Sequence, residues 1–168
     1  MKKAFLVVVL SIVSLGMFAQ EAQNFRHIVG ISPFQLGSGI RVKYETPLNN
    51  RFTVGGVLTY YYGSFPGVHL APQGRFFFRS NAPDGLYAQG RIIAGYHFDT
   101  EINTTFGAGL ALGYQVFFGR SNRLFLDFNV GARFMTPVAS DMDVLGLTWY
   151  LWGPGSIIDG LFSIGYRF

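Results

Sequence analysis

The chain of 168 residues carries 13 basic and 9 acidic residues, a formal charge of +4, and no cysteine. Charged residues make up 13%, about half the usual share, while aromatics reach 17% and glycines number 22. A disulfide-stapled fold is excluded, and scattered arginines without a basic stripe exclude a nucleic-acid footprint.

The chain opens with Lys2 and Lys3, a nearly unbroken aliphatic run from Ala4 to Val13, and Ser14-Leu15-Gly16-Met17-Phe18-Ala19 before Gln20. This pattern reads as a secretory signal peptide over residues 1–19, cut near Ala19, although Met17 takes a position usually held by a small residue. The rival reading is a single spanning helix, but the apolar run falls short of the roughly 20 residues that needs. Removing Lys2 and Lys3 leaves 11 basic residues against 9 acidic ones. Residues 20–168 then form one domain whose apolar runs are too short for a spanning helix, so any membrane crossing is made by strands.

From Ser38 onward apolar residues alternate with polar or small ones, the period of a strand with two different faces. A short first strand with weak alternation is predicted over residues 26–33. Next, Ile40, Val42 and Tyr44 oppose Arg41, Lys43 and Glu45, and Pro47-Leu48-Asn49-Asn50 turns the chain. Arg51 to Tyr62 places Phe52, Val54, Leu58, Tyr60 and Tyr62 on its apolar face. Leu70 to Phe78 sets Gln73 and Arg75 against Phe76 and Phe78, and Pro72, which lacks a ladder donor, implies a bulge. Leu86 to Phe98 sets Tyr87, Gln89, Arg91 and His97 against Leu86, Ile92, Tyr96 and Phe98. Thr104 to Phe118 and Arg123 to Met135 form a hairpin around Gly119-Arg120-Ser121-Asn122, with Asp127, Asn129 and Arg133 on its polar side. Gly160 to Phe168 makes the eighth strand. An alternative fuses residues 26–45 into one bent strand and finds the eighth inside Val144 to Trp152.

An even number of strands puts both ends on one side. The connections Pro47 to Asn50, Ser80 to Gly85 and Gly119 to Asn122 are then short periplasmic turns, and the longest, residues 136–158, faces outward. Alternation alone also fits a soluble barrel or a periplasmic sandwich, so the polar face has to decide. It mixes arginine and glutamine with Gly55, Gly95, Gly107, Gly109, Ala111, Gly113, Gly131 and Gly165, small beside large, as a narrow filled lumen requires. The apolar face carries no charge, and Tyr60, Tyr62, Tyr96, Phe98, Phe118, Tyr166 and Phe168 near strand ends suit interfacial girdles. The predicted fold is all-β: an eight-stranded antiparallel up-and-down transmembrane β-barrel in the outer membrane.

The segments Ile40-Arg41-Val42-Lys43-Tyr44-Glu45, Arg75-Phe76-Phe77-Phe78 with Asp84-Gly85-Leu86-Tyr87, Gly113-Tyr114-Gln115 and Gly165-Tyr166-Arg167-Phe168 carry a family likeness. Across nearly the whole mature chain, the sequence resembles the small eight-stranded outer-membrane barrels typified by the OmpA transmembrane domain and OmpX. More closely, it is similar to a family of short outer-membrane barrel proteins that brings no agreed activity with it. The resemblance implies that the last strand, with Tyr166 and Phe168, is what the outer-membrane assembly machinery recognises.

An eight-stranded barrel is just filled by its side chains, which disfavours a general porin. The inward cations Arg41, Lys43, Arg75, Arg91, Arg133 and Arg167 outnumber the inward acids Glu45 and Asp127. They read as a lumen network of ion pairs, or as a site for an anion such as a phosphate or lipid headgroup. His69 and His97 face inward on neighbouring strands near the outer mouth, beside Asp99, Glu101, Asp141, Asp143 and Asp159. Such a set could bind a divalent metal or serve lipid hydrolysis, but it has no fixed ligand spacing, and no serine, histidine and acid set matches the lipid A deacylases or palmitoyltransferases. No catalytic residue, metal or cofactor is therefore assigned. Trp149 and Trp152, in the long connection, either anchor in the outer headgroup layer or offer an aromatic patch to a surface partner. The expectation is a monomer surrounded by outer-membrane lipid, with a structural or surface-interaction role. A lipid-modifying enzyme stands second and a narrow channel third.

Overall fold

The structure, a computed structural model, describes residues 27–32, 39–62, 64–79, 82–98, 103–136, 149–151 and 153–168. The leader read in residues 1–19 lies outside the described residues. Eight strands follow one another: β1 Ile28–Ser32, β2 Gly39–Pro47, β3 Phe52–Tyr61, β4 Gly67–Phe77, β5 Gly85–His97, β6 Thr104–Phe118, β7 Leu124–Met135 and β8 Ile158–Arg167. Each pairs antiparallel with the next, and β1 pairs with β8, so the sheet closes into a barrel and leaves no free edge. β1 is a strand of its own and β8 is the last segment, which rules out the reading with residues 26–45 fused. No helix among the described residues is long and apolar enough to cross a membrane.

Alternation is strict enough that every strand has one buried row and one exposed row, as in the BeBeB pattern of β1. Closing a narrow sheet brings inward rows into collision unless some positions are bare. A Cβ on Gly113 would strike the Tyr87 ring, one on Gly95 would strike the His69 imidazole, and one on Gly30 would meet the Phe125 ring at 2.7 Å. The turns are set by local chemistry. Asn49 Oδ1 accepts from the backbone N–H groups of Arg51 and Phe52, at 2.8 and 2.9 Å, and Gly119 and Asn122 supply the positive φ of the β6–β7 hairpin.

Two sequence expectations are corrected. Pro72 causes no bulge: β4 keeps one register on β3 throughout and resumes the same register on β5 after a gap at Ala71 and Pro72. The missing N–H interrupts a ladder without inserting a residue. β8 begins at Ile158 rather than Gly160, which carries Asp159 from the expected rim into the interior, where it is buried.

The outward face is apolar apart from Thr46 and Thr104 at strand ends, and among the described residues no strand presents a charged side chain there. Tyr60, Tyr96 and Phe134 lie toward one end of the barrel and Phe52, Phe78 and Phe118 toward the other, with Leu58, Leu70, Ile92, Leu110 and Val130 between. Leu110 is 74% exposed while Arg41 and Arg75 are 2% exposed, an inversion of the usual inside and outside of a water-soluble domain.

Candidate functional site

The chemistry is in the lumen, which divides into two polar clusters. The near cluster lies toward the end holding His27 and Phe168. Lys43 of β2 reaches Asp127 of β7 at 2.7 Å, Glu45 at 3.3 Å and the Gln115 side-chain oxygen at 3.0 Å. Arg75 of β4 uses its whole fork: Nε donates to Gln89 at 2.8 Å, Nη1 to Glu45 and Gln115 at 3.0 Å each, and Nη2 to Asp127 at 2.9 Å. Thr53 and Tyr87 donate their hydroxyls to Glu45 and Asp127, at 2.6 and 2.5 Å. Lys43 also lies 4.6 Å from the Phe125 ring centroid and Arg75 lies 4.2 Å from that of Tyr87. Two cations meet two carboxylates, and the polar atoms between them are paired.

Val57, Ala71, Ile93 and Met135 form an apolar cluster inside the barrel. The far cluster is built differently. Arg91 of β5 pairs with Asp159 of β8, and Arg133 of β7 lies 4.0 Å from the same carboxylate. Arg133 also donates to the Ser156 carbonyl at 2.8 Å and to the Tyr61 hydroxyl at 3.4 Å. Arg41 lies within reach of Tyr61, yet its Nε and Nη1 are buried with no hydrogen-bond partner among the described residues. Arg91 and Arg133 thus share one carboxylate, and Arg41 pairs with none among the described residues. The sequence reading starts this strand two residues later, at Gly160, and so leaves Asp159 at the rim; its parity with Ser163 and Gly165 was the available signal.

His69 and His97 do meet, with their Nε2 atoms 2.8 Å apart. The Phe65 carbonyl, 3.3 Å from His97 Nδ1, can only accept, so His97 carries its proton on Nδ1 and accepts from His69 through Nε2. Both rings are spoken for as a neutral pair. Of the acids expected beside them, Asp99, Glu101, Asp141 and Asp143 lie outside the described residues and Asp159 is engaged by Arg91. Among the described residues no group of three metal-ligating side chains exists.

Trp149 was expected to sit in a headgroup layer or on the surface. Instead it is completely buried, at 5.2 Å from Phe65 and 4.8 Å from His97 between ring centroids, in a short helical segment of residues 149–151. Gly155 makes this possible, since a Cβ there would strike the indole. Trp149 and Phe65 therefore stop the far mouth as an aromatic plug. Trp152 and residues 137–148 lie outside the described residues.

At the opposite mouth, Arg167 lies 4.3 Å from the Phe117 ring centroid and donates to the Asn122 carbonyl at 2.6 Å. Tyr166 accepts from Arg123 at 3.0 Å and stacks edge-on with Phe168, whose ring is exposed and whose N–H donates to the His27 carbonyl at 2.8 Å. Compared with protein-family models, with curated proteins and with solved structures, the chain matches none.

Proposed function

We propose that this chain is an integral outer-membrane β-barrel, monomeric and closed to solute flow, that serves a structural or surface-interaction role. The observation that carries this reading is the inverted exterior. A continuous apolar belt of this size is far beyond the few hundred Å² that a soluble monomer exposes, and it lacks any charge among the described residues. Aromatics toward the strand ends suit two interfaces, and Arg51, Arg79, Arg120 and Arg123 lie in turns where they would reach headgroups. The leader pattern in residues 1–19 and the ending Tyr166-Arg167-Phe168, offered to the assembly machinery, support export to that membrane. A closed near network and a plugged far mouth support a barrel that does not conduct.

Diluting the urea-unfolded chain into detergent micelles or vesicles tests this. The expected product migrates differently when boiled, and Leu110→Lys lowers its stability in a bilayer by about 2 to 4 kcal/mol. A chain that folds and stays monodisperse in water without detergent would overturn the reading. Steady conductance across a planar bilayer would overturn the closed state alone.

A further inference from the structure

In the far half of the lumen both charge and hydrogen bonding are unbalanced among the described residues. Arg41, Arg91 and Arg133 lie within electrostatic reach of one another, and Asp159 is the single carboxylate among the described residues that pairs with any of them. Among the described residues the unpartnered atoms of this half are chiefly donors: Arg41 Nε and Nη1 and Trp149 Nε1, with the Thr105 hydroxyl. Both Arg41 atoms are buried away from bulk solvent. An unpaired buried cation is among the costliest features a fold can hold, and an apolar residue at position 41 would have avoided it. The near cluster shows that this barrel can match its charges.

We propose that the far half of the lumen binds a small oxyanion of the phosphate or sulfate class, held by Arg41 together with Arg91 and Arg133. Guanidinium forks match such an ion because parallel N–H groups meet two of its oxygens at once. Arg41 offers two unused donors, and the charge excess of the cluster falls when the ion enters. Trp149 and Phe65 close the mouth above the cluster, so the ion exchanges only as that plug lifts. The phosphate could be free or could be the headgroup of a lipid. The inference needs only a folded barrel and not any particular role in the cell.

The test uses the chain refolded from urea into micelles of a neutral detergent. Unfolding midpoints are measured in sodium phosphate, sodium sulfate and sodium chloride at matched ionic strength, and separately with a phosphate-bearing phospholipid added to the micelles in chloride. Phosphate and sulfate are expected to raise the midpoint above chloride, with half-saturation about tenfold weaker in Arg41→Gln. Asp159→Asn, which removes the competing carboxylate, is expected to move half-saturation the other way. Arg120→Gln, in the exposed turn at the opposite mouth, is expected to leave it unchanged. A response in the lipid arm alone assigns the phosphate to a headgroup. Equal midpoints in all salts with no lipid response, or the same anion response in Arg41→Gln as in the parent, overturns the proposal. If Arg41→Gln fails to fold, Asp159→Asn still decides it by the sign of its shift. Failure of the parent chain to fold in micelles would instead count against the proposed function.

Discussion

The near and far clusters occupy the same lumen, share β2, β5 and β7 and are both buried, yet only one of them closes. In the near cluster Lys43 and Arg75 face Glu45 and Asp127, and Gln89, Gln115, Thr53 and Tyr87 take up what the ion pairs leave over. In the far cluster Arg91 and Arg133 face Asp159, and Arg41 has buried donors without acceptors among the described residues. The near cluster has the form of a clamp, tying β2, β4, β5, β6 and β7 across the bore. The far cluster has the form of a cationic group only partly paired among the described residues, beneath an aromatic stopper. Burial alone does not separate a structural ion network from a binding site; completeness of pairing does.

The largest test of that distinction is Asp127→Ala. Asp127 accepts from Lys43, Arg75 and Tyr87, so removing it strands two buried cations. The expected loss is about 3 to 5 kcal/mol in urea unfolding from micelles. Arg41→Met goes the other way. In Tris chloride buffer, free of phosphate and sulfate, it replaces an unpaired buried charge by an apolar side chain and is expected to stabilise the barrel by about 1 to 4 kcal/mol. A loss of several kcal/mol from Arg41→Met in that buffer would mean that Arg41 belongs to a closed network like the near one.

Much of the barrel was legible because a strand has a period of two. Parity alone sent Arg41, Lys43, Arg75, Arg91, Arg133, Glu45 and Asp127 inward, and all are buried. Parity does not give height along the bore. That depends on the stagger between strands, so the sorting of eight ionic groups into a balanced near set and an unbalanced far set emerged only once register brought Lys43 to Asp127 and Arg91 to Asp159. Asp159 was misplaced because a strand start beside a long connection has no repeat to mark it. Trp149 was misread for a related reason: residues 136–158 have no period, and an isolated tryptophan looks the same whether it meets lipid or fills a mouth.

A pair of threonines gives the finest test. Thr53 and Thr105 are both buried in the lumen, on β3 and β6, and Thr→Val keeps the shape of each while deleting a hydroxyl. Thr53 donates to Glu45 at 2.6 Å, a bond to an ionised acceptor, and Thr53→Val is expected to cost about 2 kcal/mol. Thr105 Oγ1 has no partner among the described residues, so Thr105→Val removes only a desolvated hydroxyl and is expected to be neutral or slightly stabilising, within about 1 kcal/mol. The measurement is paired urea unfolding in the same micelles, first in chloride and then in phosphate. If Thr105 lies against the anion, the Thr105→Val effect turns unfavourable in phosphate while that of Thr53→Val does not move. Equal costs for both substitutions in chloride would erase the contrast in pairing on which the division of the lumen rests.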